Sequence, residues 1–232
     1  MGLRRSLMAM VAGGGGGIPS ANLAALLHMN GADGSTTFTD ESGKTWTAFG
    51  QAQIDTASSQ WGGAAGTFDG SGDYITTDTH ADFGFGGGDF TLAGWMQRPI
   101  AGGTPDRCLF DNRSASNEGI AIYTGGGSSP NRLRAFNNSA LIAQSASDLP
   151  NGSWIHWAVA RQGTTLRGFL AGAVAFSATD SRTYASTAKP YIGANYIGTQ
   201  GYLGNADDIL VLKGLALYTA AFTPPAGPYV IG

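Results

Sequence analysis

"SWIHWAVARQGTTLRGFLAGAVAFSA" runs from Ser153 to Ala178, and its phase decides the fold. Trp154, His156, Ala158 and Ala160 fall on one face of an extended chain; Ile155, Trp157, Val159 and Arg161 fall on the other. Period two with tryptophan and β-branched residues is the pattern of a strand. Gly163 then marks a turn, a second strand follows, and Ala171-Gly172 reads as a hairpin turn. Upstream, "DFTLAGWMQRP" (89–99) alternates in the same way, with Phe90, Leu92, Gly94 and Met96 opposed to Thr91, Ala93 and Trp95. From Leu23 onward there is no long helical period, no internal repeat and no linker. Strands at short intervals, punctuated by Gly, Asn and Pro, predict an all-β antiparallel sandwich of the jelly-roll kind. The expected organisation is one sandwich over residues 23–226, a glycine-rich arm over 1–22 and a short tail over 227–232.

Composition agrees. The chain has 232 residues, enough for one sizeable core. Charged residues are 12%, about half the usual share, and the 37 glycines are more than twice average usage. Those glycines are scattered among Ser, Thr, Asn and Asp, which fits tight turns and excludes a collagen repeat. A hydrophobic content of 42% argues against disorder. Net charge is −3 and the one basic cluster is Arg4-Arg5, so no broad nucleic-acid surface is expected. Cys108 is the single cysteine, which rules out an intrachain disulfide. No run approaches the length of a membrane-spanning helix, and no membrane insertion is expected.

The opening "MGLRRSLMAMVAGGGGGIPSANL" has a basic start, a short apolar stretch and five glycines, Gly13 to Gly17. It resembles a secretory signal peptide, but Leu7 to Val11 is short for the apolar region and the glycines would break its helix. The favoured reading is an arm that docks on a neighbouring subunit or partner protein through Arg4, Arg5, Leu7, Met8 and Met10. Met-Gly-Leu-Arg-Arg-Ser also fits the myristoylation pattern, which is short and often accidental.

"FDGSGDYITT" (68–77), "DFTLAGWMQRP", "GSWIHWAVARQGTTLRGFLAGAVAFS", "YIGANYIGTQGYLGNADDILVLKGLALY" and "AAFTPP" follow one another in this chain. Their order resembles the laminin-G-like, concanavalin A-like jelly roll shared by lectins, pentraxins and glucanases, over roughly Leu26 to Pro225. The stretches "LLHMNGADGSTTFTDESGKTWTAFGQAQIDT" and "GLALYTAAFTPP" look most like the versions encoded by tailed bacteriophages. That resemblance implies a surface protein of a particle, in the head, tail or fibre.

Asp207 and Asp208 stand at the entrance of the apolar run Ile209 to Leu212. In unbroken strand phase Asp207, Ile209 and Val211 share one face, and Asp208, Leu210 and Leu212 the other. One carboxylate then points inward and needs a partner. Related laminin-G-like domains hold calcium between a carboxylate here and oxygens near an N-terminal Asp-x-Ser-Gly turn, present in this chain as Asp40-Glu41-Ser42-Gly43. The resemblance therefore implies a calcium site built from Asp40 and Asp207 with Asp33 and Asp208. The alternative is that Asp207 accepts backbone N–H bonds from the 40–43 turn and clips the ends of the chain together without metal. Asp69 and Asp73 flank a Gly-Ser-Gly turn and are expected to hydrogen-bond its backbone.

Catalysis finds little support. Glucanases of this fold class carry a Glu-x-Asp-x-x-Glu strand, and general acid–base hydrolysis needs two carboxyl groups across the sugar bond. The chain's only glutamates, Glu41 and Glu118, lie in different loops. No Gly-x-Ser-x-Gly elbow accompanies His28, His80 or His156. Cys108 is expected as a buried inert thiol. Sugar binding uses aromatic faces with Asn, Asp or Arg for hydroxyls. The candidates are Trp61, Tyr123, Tyr196 and Tyr202, with Asn131 and also Asn117 and Asn195; core filling and subunit interfaces use the same residue types.

The sequence thus points to a non-enzymatic surface protein of a phage particle, anchored by its arm and displaying a lectin-like sandwich for glycans. Its expected partners are other virion proteins, copies of itself as a homo-oligomer (a trimer), and host surface glycans. The alternative is a carbohydrate-binding lectin module, calcium-dependent and secreted, that belongs to no particle.

Overall fold

The structure is a computed structural model that describes residues 17–99, 106–115, 118–125, 131–138 and 140–232. The arm residues Arg4, Arg5, Leu7, Met8 and Met10, and Asn117, lie outside the described residues. In chain order the strands are β1 (Leu23–Leu27), β2 (Thr47–Phe49), β3 (Gln53–Asp55), β4 (Ala65–Asp69), β5 (Tyr74–Thr76), β6 (Phe90–Gln97), β7 (Arg107–Asp111) and β8 (Ala121–Thr124). They continue as β9 (Leu133–Asn137), β10 (Ala140–Gln144), β11 (Trp154–Gln162), β12 (Thr165–Leu170), β13 (Ala173–Thr179), β14 (Tyr191–Ile192) and β15 (Leu203–Lys213).

Two antiparallel sheets pack face to face. The first runs β13-β12-β11-β6-β15-β4-β3, with β1 on the second half of β15; the other runs β10-β9-β8-β7-β14-β5-β2. The alternation expected for β6 and β11 holds. Phe90, Leu92, Met96, Ile155, Trp157 and Val159 enter the core between the sheets, while Ala93, Ala158 and Ala160 face outward. Arg161 follows the inward set and is fully buried. Its guanidinium donates to the carbonyls of Gly88, Gly86 and Arg182, lies 3.5 Å from the buried Asp180 carboxylate and 4.8 Å from the Tyr184 ring, so each nitrogen has a partner and the charge is paired. The hairpin between β12 and β13 turns at Ala171 (φ 47°) and Gly172 (φ 79°), the paired positive φ of a type I′ turn.

The outer face of the first sheet is covered. After β15 the chain returns across it, and Leu217, Tyr218, Tyr229 and partly buried Phe222 and Ile231 pack with Ile18 on Leu26, Ala158, Phe169, Leu210 and Leu212. Ile18 and Ile231 form a parallel bridge. Residues 227–232, expected as a tail, therefore include buried Tyr229 and belong to this third layer. The outer face of the second sheet carries the small cluster Cys108, Ala121, Tyr123 and Phe136, and the 195–200 loop reaches it through Tyr196 and Gln200.

One correction concerns β15. Asp207 pairs with Trp95 and Leu210 with Ala93, so two residues, Asp208 and Ile209, face the single Gly94. This is a β-bulge, with Asp208 in the left-handed region at φ 52°. It reverses the phase: Ala206, Ile209 and Val211 point into the core, and Leu210 and Leu212 point outward. A Cβ on Gly94 would lie 2.7 Å from Ile209 Cδ1, which is why the bulge sits opposite glycine.

Candidate functional site

The four expected metal carboxylates each have their own protein donors. Asp40 Oδ1 accepts from the N–H groups of Leu26 (3.0 Å) and Ser42 (2.8 Å), and Oδ2 from Ser42 Oγ (2.8 Å) and Trp46 Nε1 (2.9 Å). Asp33 accepts from Thr56 N–H at 3.1 Å. Asp208 lies 2.6 Å from His28 Nδ1 and accepts from Tyr229 N–H at 2.8 Å. Asp207 Oδ2 accepts from the N–H groups of Gln60 and Trp61, each at 2.9 Å. The expected donor turn at 40–43 is thus corrected: Asp207 holds the 60–61 segment, and Asp208 ties β15 to the residue after β1 and to the C-terminal layer. Calcium needs free lone pairs from several convergent oxygens, and N–H and O–H hydrogens already occupy those of Asp40. Among the described residues no group of three or more His, Cys, Asp or Glu could hold a metal ion. The donor sets fit hydrogen-bonded clips, not a calcium cage.

Two of these groups have displaced acidities. Burial pushes the Asp207 carboxyl up to about 6 against its two backbone donors, and its Oδ1 is buried with no hydrogen bond from the described residues. The hydrogen bond that His28 Nδ1–H donates to the Asp208 carboxylate raises His28 above its ordinary value, against burial. Elsewhere, Asp73 accepts from Gln51 and Asp69 N–H, and Asp69 from Ser71 N–H, which closes the Gly-Ser-Gly turn as expected. His156 is buried on Tyr229 Oη at 2.8 Å, and burial lowers it to about 3, so it is neutral. Burial raises the Cys108 thiol, which suits an inert side chain.

The concave chemistry lies on the second sheet. Asp111 ends β7, and Arg113 stands two residues on, so both point to one side. Arg113 Nε donates to Asp111 at 3.0 Å and 3.1 Å, and its Nη2 donates to Asp111 Oδ2 and to Tyr123 Oη, each at 2.8 Å. A further Arg113 nitrogen donates to the Asn138 carbonyl. The guanidinium lies over the rings of Tyr123 (5.6 Å) and Tyr196 (5.7 Å). Burial alone would lower the guanidinium; bonding and charge from Asp111 more than offset it, so Arg113 stays protonated. Burial pushes the Asp111 carboxyl up while Arg113 restrains it.

The 195–200 loop is fastened onto this pair. Tyr196 N–H donates to Asp111 at 3.1 Å. Asn195 Nδ2 and Tyr123 Oη both donate to Gln200 Oε1, at 2.8 Å and 2.9 Å. Two clefts share Arg113 and Tyr196. One, about 310 Å³, is lined also by Phe136, Asn138, Asn195 and Gln200. The other, about 400 Å³, is lined also by Thr79, Glu118, Ser186, Lys189 and Tyr191.

Of the expected glycan residues, the structure brings Tyr123 and Tyr196 together, with Asn195 beside them. Tyr202 is fully buried between the sheets, its hydroxyl on the Gln97 carbonyl. Trp61 packs edge-on against Trp95 of the first sheet, and Asn131 accepts from Arg98 at 3.0 Å. Sequence reasoning missed Asp111, Arg113, Asn138, Lys189, Tyr191 and Gln200. The available signal was Asp-Asn-Arg at the end of an apolar strand, whose spacing of two puts both charges on one face.

With this geometry in place, comparison with known proteins defines the class. The chain belongs to the concanavalin A-like lectin/glucanases superfamily, whose Laminin_G_3 family model matches residues 69–220. Domain 4 of AbnA, a GH43 extracellular arabinanase from Geobacillus stearothermophilus solved in complex with arabinotriose, is similar in structure. It is 20% identical with a TM-score of 0.62, over 84% of this chain and 94% of that one. Botulinum neurotoxin type C, in a structure described through its interaction with two ganglioside molecules, gives 13% and 0.60 over 84% of this chain. Trypanosoma rangeli sialidase, bound to 2,3-difluorosialic acid, gives 11% and 0.61 over 92% of this chain. The present chain spans 49% of the toxin chain and 35% of the sialidase chain. At these identities the likeness establishes the fold. A search of curated proteins gives no match.

Proposed function

We propose that this protein is a glycan-binding, non-catalytic surface module whose site is the pair of clefts around Arg113 and Tyr196. One observation carries the reading: a buried Asp111–Arg113 pair forms a rigid polar floor beneath Tyr196, flanked by Asn195 and Gln200. An aromatic ring beside fixed amide and guanidinium groups is what a sugar needs, since it offers one apolar face and a rim of hydroxyls. The arabinotriose held by the arabinanase domain and the gangliosides of the toxin support sugars as the ligand class. Binding is favoured over hydrolysis because Asp111 is paired with Arg113 and Asp106 with Arg134, which leaves Glu118 as the one cleft carboxylate outside an ion pair among the described residues, where hydrolysis needs two.

The stretches from Leu26 to Thr56 and from Gly214 to Pro225 resemble those of tailed-phage surface proteins and support a place on a virion. There the module would be a head or tail appendage held by its N-terminal arm as a homo-oligomer. Two experiments test the reading. Glycan-array binding by the wild type should be lost in Tyr196→Ala at unchanged melting temperature; a wild type that binds no glycan removes the lectin. Mass spectrometry of purified particles should find the chain at fixed copy number; its absence from particles, with protein free outside cells, leaves the secreted lectin.

A further inference from the structure

The clefts form the middle of a longer feature. The residues in register across the second sheet are Thr76, Tyr191, Asp111, Ala121, Phe136 and Leu141, one each from β5, β14, β7, β8, β9 and β10. Register partners on neighbouring strands point to the same face. At the β2 edge Phe49 pairs with Tyr74 and stacks on it at 4.6 Å and 8°, and Tyr74 lies 5.7 Å from Tyr191. Of the five large apolar side chains exposed among the described residues, three belong to this face, Phe49 (41%), Leu141 (43%) and Ile197 (64%); Val174 and Val230 lie elsewhere. From β2 to β10 the row crosses six inter-strand steps, roughly 29 Å at the usual sheet spacing. That is far longer than one or two sugar rings require.

Its charges are already balanced. Asp111 neutralises Arg113 and Asp106 neutralises Arg134; Lys189 lies 5.8 Å over the Tyr191 ring in the cleft that also holds Glu118. Thr76, Asp111 and Ala121 of the row are buried, so what a ligand meets is Phe49, Tyr74, Tyr191, Tyr196, Phe136 and Leu141 with the amides of Asn195 and Gln200. Rings with amides between them and no net charge match a chain that is neutral, hydroxylated and ringed along its length. We infer that the second sheet carries an extended track that binds the interior of a neutral linear polysaccharide, with the Arg113–Tyr196 clefts as its central subsites. This inference rests on the glycan-binding reading above and specifies the ligand's length and charge.

The test is calorimetric titration with neutral linear arabino-, xylo-, gluco- and manno-oligosaccharides graded from monosaccharide to octasaccharide, beside an acidic uronic-acid series. Affinity for one neutral series should rise roughly tenfold or more between disaccharide and hexasaccharide. Phe49→Ala, at an exposed edge position, should cancel most of that rise and leave disaccharide affinity unchanged. Equal affinity at all lengths would overturn the track and leave a single-site lectin standing. Preference for the uronic-acid series would overturn the neutral ligand. No binding in any series would overturn both readings, and a wild-type dimer that Phe49→Ala converts to monomer would reassign the face to self-association.

Discussion

Replacing Asp207 with Asn tests the account of the β15 bulge. The amide keeps an oxygen for the Gln60 and Trp61 N–H groups but carries no charge. Asp207 has no exposed surface, and burial moves its carboxyl from 3.8 to about 6. At 1.36 kcal/mol per pH unit, the ionised group costs the fold about 3 kcal/mol relative to the protonated one. The native state holds this proton more tightly than the unfolded chain. The contribution is therefore fully present below pH 3.8 and lost as pH rises through about 6. His28 shifts the same way but in a higher window: its bond to Asp208 stabilises below about 6.5 and fades as pH rises through its raised folded value. Guanidinium unfolding followed by tryptophan fluorescence from pH 4 to 8 separates the two. The wild type should lose about 3 kcal/mol across the lower window. Asp207→Asn should stay flat there and retain only the later decline. Parallel curves for the two proteins would refute the buried-charge argument.

Asp40→Ala strips acceptors from Leu26, Ser42 and Trp46 and should cost about 3 kcal/mol in chemical unfolding, while chelator leaves the wild-type melt unmoved. A chelator-sensitive melt would restore metal to this turn. Gly172→Ala places a Cβ 1.9 Å from the Phe222 carbonyl oxygen at φ 79° and should destabilise by about 2–4 kcal/mol; a neutral result would mean that the C-terminal layer is not seated on the hairpin.

What the sequence disclosed follows from the range of the interactions involved. The phase of β6 and β11 was legible because each residue's face depends only on its neighbours, and the Ala171-Gly172 turn because two adjacent positive φ values need such residues. The bulge was not legible, since an aspartate tolerates the left-handed region without requiring it and the room for Ile209 comes from Gly94, more than a hundred positions away. Tyr123 and Tyr196 were named as ligand candidates on residue type. Their meeting depends on Asp111 accepting the Tyr196 N–H, a contact across 85 positions. Trp61 and Tyr202 share that residue type and were drawn instead to the first sheet and to the core. Aromatic identity alone cannot tell a binding plate from a filler.

The third layer gives the molecule a front and a back. Ile18 and Ile231 meet on the covered side, and the row of rings lies on the opposite one. Anything fastened at either position grips the module from behind and leaves the ring-bearing face outward. Copies mounted side by side on one support would point their rows the same way, so a single long polymer could lie across several at once. Weak individual contacts would then add up to a firmer hold than any one module makes.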